Sequence, residues 1–256
     1  MKKVLVTGAN GQLGQCLQKI APKYKELKFV FKNSKDLDIT NKEQMSSFFA
    51  VNDFDYCINC AAYTNVEQAE KNPDIAYKVN VEGVKNIALI CRENNTLLIH
   101  ISTDYVFDGE KKEPYTVDDI PNPINEYGKS KLQGEKYIQE IMEDYLIIRT
   151  SWLYSEFGKN FYTTILEKAK AGENLSVTDE QIGCPTNANN LALHIVEKLT
   201  QNNNFGIDHF TDNYSCTWFD FAKKILIEHG LQMSVQLRRD KNYRTFARRP
   251  LNSVLK

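Results

Sequence analysis

A tyrosine and a lysine four residues apart, Tyr127 and Lys131, carry side chains that could transfer a proton. If this segment is helical, the two side chains lie on one face, one turn apart. A free tyrosine has a pKa near ~10, and a nearby positive charge favours the phenolate and lowers that value. We therefore expect Lys131 to lower the pKa of Tyr127. The spacing alone is common, so its meaning depends on the elements around it.

A glycine-rich turn lies near the start of the chain, where Gly8, Gly11 and Gly14 are spaced three apart. The turn follows an apolar run at 3–7 and precedes a helical pattern at 13–20, which is the context of a dinucleotide-binding turn. In such a turn the glycines allow the tight bend, the approach of a diphosphate and the packing of helix on sheet. The N-terminus of the helix adds amide donors for the anion. We predict a dinucleotide site here.

Lysines, and not the usual carboxylate for the ribose of NAD, follow the second apolar run at 27–31. Lys32 and Lys35 could face a 2′-phosphate. This composition favours NADPH as the cofactor, with NADH as the alternative. Asp38 and Ile39 lie where a loop could line the adenine.

Apolar runs alternate with amphipathic helical patterns in the first part of the chain. The runs lie at 3–7, 27–31, 56–61, 97–102 and 145–149. Several are apolar on both faces, which is typical of a parallel sheet covered by helices on each side. We predict an α/β fold, a doubly wound parallel sheet (Rossmann fold) with a smaller mixed substrate-binding lobe. We assign 1–152 and 180–205 to the NAD(P)-binding domain, and 153–179 and 206–256 to the lobe.

Length and charge describe an ordinary globular protein. The chain has 256 residues and a formal net charge of −1, which gives no general attraction for nucleic acid or an anionic membrane. No run approaches the roughly 18 apolar residues of a membrane span. The apolar run after Lys2 and Lys3 is too short for a signal peptide. We expect a cytoplasmic protein that binds neither nucleic acid nor membrane.

The six cysteines and four histidines show no convincing metal-ligand pattern. Cys57 and Cys60 have the spacing of a redox motif or of half a zinc site. They lie in a predicted strand, however, where residues three apart point to opposite faces. We predict reduced thiols in packing roles and no metal site. His100 lies on a continuous apolar strand, so we predict a core residue with its hydrogen bonds satisfied.

A polar run at 102–109 follows the fourth apolar run. Ligands of a doubly wound sheet bind outside the carboxyl ends of its strands, so the Thr103 hydroxyl could share a hydrogen bond with a substrate oxygen. With the glycine turn and the pair Tyr127 and Lys131, this run resembles the extended short-chain dehydrogenase/reductase superfamily. Further runs are similar to the dTDP-4-dehydrorhamnose reductase family: 59–64 (NCAAYT), 102–109 (STDYVFDG), 149–154 (RTSWLY), 181–186 (QIGCPT) and 249–253 (RPLNS).

The resemblance implies a reaction. The substrate would be dTDP-4-dehydro-L-rhamnose and the product dTDP-L-rhamnose, a donor of sugar for cell-envelope polysaccharide. Tyr127 would protonate the C4 oxygen while NADPH delivers hydride to C4. Lys131 would hold the nicotinamide ribose and lower the pKa of Tyr127, and Thr103 would tune the same hydrogen-bond network.

The resemblance also implies contacts along the cofactor and the substrate. The implied cofactor contacts, besides those named above, are Gln12 and Leu13 with Gly11 at the diphosphate, and Ala61, Ala62 and Tyr63 further along. The implied substrate contacts, besides Thr103 and Tyr127, are Trp152 as a wall for the sugar, Asp104 nearby, and Gln181, Arg249 and Asn252 on the nucleotide-sugar side.

Two alternatives stay open on the sequence. A non-catalytic dinucleotide-binding regulatory subunit, such as the β subunit of methionine adenosyltransferase, also resembles this family, although the runs at 149–154 and 181–186 favour the enzyme. A reductase or epimerase of another nucleotide sugar, such as a spore-coat sugar, is the second. The family includes dimers bridged by Mg²⁺, so a homodimer is an option, but the sequence offers no dedicated set of Mg²⁺ ligands.

Overall fold

The computed structural model describes residues 1–201 and 205–256. The strands of this part of the chain are β1 (Lys2–Thr7), β2 (Leu27–Lys32), β3 (Tyr56–Asn59), β4 (Leu97–Thr103), β5 (Tyr145–Thr150), β6 (Leu153–Tyr154), β7 (Leu175–Val177), β8 (Ile182–Gly183), β9 (Thr186–Asn187), β10 (Gly206–His209), β11 (Cys216–Thr217) and β12 (Leu237–Arg239). The helices are α1 (Gln12–Ile20), α2 (Lys42–Ala50), α3 (Val66–Lys71), α4 (Pro73–Tyr77), α5 (Val84–Glu93), α6 (Glu126–Ile141), α7 (Phe161–Lys170), α8 (Ala188–Gln201) and α9 (Trp218–Glu228).

A six-stranded parallel sheet in the order β10-β5-β4-β3-β1-β2 forms the centre of the described structure. Alternate residues of β1 face opposite sides, with Val4 and Val6 in one core and Leu5 in the other. Helices α1 and α8 cover the first side, and α2, α5 and α6 cover the second. The chain therefore winds outward from β1 in both directions, which confirms the predicted doubly wound sheet.

The smaller lobe has a core of its own, in which α7 and α9 pack on the paired strands β7 and β12. Residues 206–209, which we assigned to this lobe, instead form β10, which pairs with β5 at the edge of the central sheet. All four residues of β10 are only half-buried, so the apolar signal of a central strand is missing. Strand β8 pairs with β11, which joins the two assigned regions. The division into domains stays a prediction.

The helical stretch that begins at Pro73 is not a single regular helix. A π-helical segment, Lys78–Gly83, separates α4 from α5. Its Asn80 side chain accepts a hydrogen bond from the Tyr63 backbone N–H at 2.9 Å and donates to the Ser130 hydroxyl at 3.0 Å. Such π-helical insertions often occur at functional sites. This one ties the loop after β3 to helix α6, and side-chain periodicity does not reveal it.

All six cysteines are free thiols, and five of them are buried. Within residues 1–201 and 205–256, no group of three or more His, Cys, Asp or Glu side chains could hold a metal ion. No helix in that same part of the chain is long and apolar enough to cross a membrane.

Candidate active site

A cleft of about 490 Å³ opens at the carboxyl ends of the central strands, between the sheet and the smaller lobe. The predicted residues that line it are Gly11, Gln12, Leu13, Gly14, Ala62, Thr103, Asp104, Tyr127, Lys131 and Trp152. The structure therefore brings the glycine turn, the hydroxyl run after β4 and the tyrosine–lysine pair to one surface. Sequence reasoning missed Trp218 and Lys159, which reach this cleft from the lobe.

A second pocket of about 400 Å³ adjoins the cleft and shares Gly11 and Ala62 with it. The predicted residues among its lining are Gly8, Asp38, Ile39, Ala61 and Tyr63. Together the two pockets make a groove that runs past the glycine turn, from Tyr127 and Lys131 to the loop after β2. A dinucleotide is an elongated ligand, so this shape suits one.

The glycine turn fits a diphosphate. Gly8 has a φ of +67°, and a side chain there would lie 2.6 Å from the Ala61 backbone nitrogen. A Cβ on Gly14 would meet the Ala9 carbonyl oxygen at 2.6 Å. Helix α1 begins after Gly11 without a side-chain cap and without an acidic residue in its first turn. Its amides are thus available to an anion, and the macrodipole favours negative charge there.

The loop after β2 places Asn33, Ser34 and Lys35 around the second pocket. Lys32 points elsewhere, because its Nζ lies over the Phe48 ring, 5.2 Å from the centroid. Of the two lysines considered for a 2′-phosphate, Lys35 is therefore the better placed. The role of Lys32 as a cofactor contact stays a prediction.

Helix α6 holds Tyr127 against the end of β4. The buried Asn125 side chain caps the helix by accepting a hydrogen bond from the Gly128 N–H at 2.8 Å. A Cβ on Gly128 would lie 2.1 Å from the Tyr105 carbonyl oxygen, so only glycine allows the helix to approach this closely. The Tyr127 ring then packs edge to face on Tyr105, with 5.8 Å between centroids.

Burial raises the pKa of Tyr127, and the nearby Asp104 and Tyr105 act in the same direction. A hydrogen bond with Thr103 opposes them by favouring the phenolate. The prediction that Lys131 lowers the pKa of Tyr127 is therefore wrong for the protein without bound cofactor. Burial has the larger effect, and the group that opposes it is Thr103. The phenol is protonated at neutral pH.

Lys131 is almost fully buried, with 1% of its surface exposed. Its Nζ donates to the Ile101 carbonyl oxygen at 2.7 Å and lies 3.1 Å from His100 Nε2. Burial lowers the pKa of Lys131 to about 8, although the charge of Glu135 acts in the opposite direction. A lysine that titrates this close to neutral pH is unusual and is typical of a functional site.

Thr103 and Asp104 share a hydrogen bond at the floor of the cleft. The Thr103 hydroxyl donates to Asp104 Oδ1 at 3.0 Å and accepts from the Tyr105 N–H at 3.2 Å. Burial raises the pKa of Asp104 to about 7, although hydrogen bonds from Ser253 and Thr103 favour its carboxylate. The cleft therefore contains a carboxyl group that changes charge near neutral pH.

Two stacked indoles form a wall of the cleft. The Trp152 and Trp218 rings lie 3.5 Å apart between centroids and within 6° of parallel. Trp152 has a φ of +45°, and Gly183 lies directly against its ring. Trp218 Nε1 donates to Gln181 Oε1 at 3.0 Å, so Gln181 reaches the cleft through this indole. Trp218 opens helix α9 and reads in the sequence as an ordinary core aromatic.

Arg249 and Asn252 hold the last residues of the chain against the sheet domain. Arg249 pairs with Glu67 at 3.0 Å. The Asn252 side chain donates to the carbonyl oxygens of Lys111 at 2.8 Å and Lys112 at 3.0 Å. These contacts give both residues a structural role. Their roles as substrate contacts, and that of Gln181, stay predictions.

The fold and the cleft define a dinucleotide-dependent oxidoreductase of the extended short-chain type. Within that class, the chain belongs to the family described as the RmlD substrate binding domain, which matches residues 1–256. This confirms the family resemblance inferred from the sequence runs.

Three similar proteins illustrate the family. The dTDP-4-dehydrorhamnose reductase of Aggregatibacter actinomycetemcomitans is 39% identical over 100% of this chain and 90% of that protein. The spore coat polysaccharide biosynthesis protein SpsK of Bacillus subtilis is 37% identical over 100% of this chain and 89% of its own length. The crystal structure of Bacillus anthracis dTDP-4-dehydrorhamnose reductase in complex with NADP has a TM-score of 0.95 and 39% identity, covering 100% of this chain and 91% of that one.

Proposed function

We propose that the protein reduces the C4 keto group of dTDP-4-dehydro-L-rhamnose with NADPH to give dTDP-L-rhamnose, and that Tyr127 is the proton donor. The observation that carries this proposal is the meeting of Tyr127, Lys131 and Thr103 in one cleft that continues past the glycine turn. Membership of the family supports the reaction, and the NADP complex of the Bacillus anthracis relative supports the cofactor.

NADPH, when bound, supplies the hydride for C4. The amides at the start of α1 would hold its diphosphate, and Lys131 would hold the nicotinamide ribose. The Tyr127 phenol gives its proton to the C4 oxygen. The raised pKa of Tyr127 keeps the phenol loaded with this proton at neutral pH. After the transfer, the Thr103 hydroxyl can turn its single proton from Asp104 to the phenolate and stabilise it.

The substrate sugar would lie against the indole wall. Trp152 and Trp218 present a flat apolar surface, which suits the C–H face of a sugar ring. Asp104 and Thr103 also line the cleft and can hydrogen-bond to hydroxyl groups of the sugar. Positioning by these groups holds the C4 oxygen near Tyr127, and such positioning contributes much of the rate enhancement of an enzyme.

The test is turnover of the purified protein with NADPH and dTDP-4-dehydro-L-rhamnose, followed by the loss of nicotinamide absorbance. We expect Tyr127→Phe to lower kcat by about 10²–10⁴-fold while NADPH binding stays intact. Tyr137→Phe is the matched control, since it removes a phenol from the same helix, where Tyr137 packs under Lys85. No oxidation of NADPH or NADH by the wild-type protein would contradict the reductase.

A second candidate is a reductase of another nucleotide sugar, used for a spore coat. The 37% identity to SpsK over the whole chain favours it. The two candidates share the cofactor and the proton donor and differ only in the sugar. Comparison of kcat/KM for dTDP-4-dehydro-L-rhamnose and for other dTDP-linked 4-keto-6-deoxy sugars separates them.

We propose a cytoplasmic enzyme that binds its nucleotide-sugar substrate and no nucleic acid, with a homodimer as an option. Light scattering after size-exclusion chromatography, with and without Mg²⁺, tests the dimer and its metal dependence. A single species with the mass of one chain, 29.5 kDa, under both conditions would contradict it.

A further inference from the structure

A buried chain of polar side chains runs behind the cleft from β1 to the catalytic lysine. It consists of Thr7, Asn59, His100 and Lys131, each with 1% or less of its surface exposed. His100 Nδ1 lies 3.0 Å from Asn59 Nδ2, and His100 Nε2 lies 3.1 Å from Lys131 Nζ. The proposed reaction does not use His100. Its hydrogen bonds, however, determine which atoms of these four side chains carry protons.

The Asn59 amide has only one consistent orientation. Its Oδ1 accepts from the Ala61 backbone N–H at 3.1 Å and from the Thr7 hydroxyl at 2.7 Å. A backbone N–H can only donate, so the atom that faces Ala61 must be the oxygen. The amide nitrogen therefore faces His100. Since an amide nitrogen also can only donate, His100 Nδ1 must accept.

The His100 ring then has only one consistent protonation state. A neutral imidazole whose Nδ1 accepts carries its proton on Nε2. The other tautomer and the imidazolium would both place an Nδ1–H against the N–H of Asn59. Burial, and the charge of Lys131, lower the pKa of His100 well below its usual range, which also favours the neutral ring. The Nε2–H is therefore directed at Lys131 Nζ.

We propose that His100 is a positioning residue that, oriented by Asn59, directs its Nε2–H at Lys131 Nζ and thereby favours the amine form of this lysine over the ammonium. An ammonium has three donors and no lone pair, so it cannot accept from Nε2–H. An amine accepts that hydrogen bond and still donates to the Ile101 carbonyl oxygen at 2.7 Å.

The other ionisable groups that act on Lys131 are Glu135, one turn along α6, and Cys60, at the end of β3. Both favour the ammonium. The Glu135 carboxylate, however, is engaged by Arg149 at 2.7 Å and by the Ser102 hydroxyl. Burial is the largest effect and lowers the pKa of Lys131 to about 8. Geometry and burial thus both act against the ammonium and lower the pH at which Lys131 loses its proton.

This inference deepens the proposed function and rests on it for the role of Lys131. A charged lysine would stabilise the Tyr127 phenolate, and His100 lowers the pH above which Lys131 loses that charge. His100 would thereby set the pH range in which the catalytic pair is charged.

The first test is ¹⁵N NMR of the histidine rings in the wild-type protein, purified free of nucleotide, between pH 6 and 9. Substitution of His100 by glutamine identifies its signals by their loss. We expect a neutral ring with its proton on Nε2 throughout this range. An Nδ1–H tautomer, or an imidazolium at pH 7, would overturn the proposal. This readout needs neither cofactor binding nor turnover.

The second test is the pH dependence of NADPH affinity, measured by fluorescence in a Tyr127→Phe background, which removes the nearby phenol. If NADPH favours the charged lysine, affinity falls as pH rises through the Lys131 pKa, with a midpoint near pH 8. His100→Gln lets an amide oxygen turn toward the ammonium, so the midpoint should move up by about one to two pH units. An unmoved midpoint would overturn the proposal.

His194→Gln is the control, since His194 of α8 pairs with Asp208 of β10 and should leave the midpoint unchanged. The two tests also separate this inference from the proposed function. If the protein bound no NADPH at any pH, the proposed function would fail, while the NMR result would still decide the state of His100.

Discussion

Substitution of Gly183 by alanine should displace the Trp152 indole, which we propose as a wall for the sugar, and spare the proposed cofactor site. An added Cβ would lie 2.4 Å from Trp152 Cε2 and 2.7 Å from Nε1, whereas ordinary contacts begin near 3.4 Å. The ring must therefore retreat by roughly 1 Å. It cannot do so freely, because the Trp218 ring is stacked on it at 3.5 Å and its own backbone has a φ of +45°.

A displacement of about 1 Å at a residue that positions the substrate can lower the rate by about 10²-fold. We expect Gly183→Ala to lower kcat/KM for the nucleotide sugar by about 10- to 100-fold. The Kd for NADPH should stay within about twofold of the wild-type value, because the substitution does not touch the glycine turn or α6. The assay is steady-state kinetics at saturating NADPH, with cofactor binding measured separately by fluorescence.

Gly172→Ala is the matched control, because a Cβ there meets nothing within 4 Å while the φ of +75° strains the loop. It should lower the stability of the lobe by about 1–2 kcal/mol and leave kcat/KM unchanged. A kcat/KM of Gly183→Ala within about twofold of the wild-type value would refute the assignment of Trp152 to the sugar wall. An equal loss of affinity for NADPH and for the nucleotide sugar would refute it as well.

Three further predictions concern the core, the cofactor and pH. Glu135→Gln breaks an ion pair to Arg149 that is 2.7 Å long and nearly fully buried, so urea denaturation should show a loss of about 3–5 kcal/mol, and a loss below about 1 kcal/mol would contradict this reasoning. Lys35→Ala should weaken the binding of NADPH by about tenfold and leave the binding of NADH unchanged, because only NADPH carries the 2′-phosphate. Equal losses of affinity for the two cofactors in a fluorescence titration would refute the placement of Lys35 at the 2′-phosphate. The pKa of Asp104 is raised to about 7 on folding, so the protonated side chain stabilises the fold and this contribution is lost as pH rises from about 4 to 7. In thermal melts, Asp104→Asn should make this loss of stability with rising pH smaller. A pH profile of stability identical to that of the wild-type protein would argue against a raised pKa of Asp104.

Local spacing was enough to predict several of the residues that meet in the cleft. The turn containing Gly8 and Gly11 and the pair Tyr127 and Lys131 each lie within a few residues, so the geometry of one turn or one helix fixes their arrangement. Strands β1 to β5 were also predictable, because burial on both faces leaves a continuous apolar run. Their parallel pairing was predicted from the same pattern, whereas their order in the sheet was not.

The features that sequence reasoning missed depend on contacts between distant parts of the chain. Gly183 is required by Trp152, and Trp218 reaches the cleft from a helix 66 positions further along. The role of His100 depends on the Asn59 orientation, which no spacing reveals. The expected effect of Lys131 on the Tyr127 pKa was wrong because sequence shows the charge that a group could carry and not the burial that it meets.

The most direct test of the central claim is the turnover of Tyr127→Phe compared with the wild-type protein. Both are mixed with NADPH and dTDP-4-dehydro-L-rhamnose at neutral pH, and nicotinamide absorbance is followed while NADPH affinity is measured in parallel. The account predicts rapid oxidation by the wild-type protein and a loss of about 10²–10⁴-fold in the variant, with unchanged affinity for NADPH. Turnover of the variant within a few-fold of the wild-type rate would contradict the assignment of Tyr127 as the proton donor.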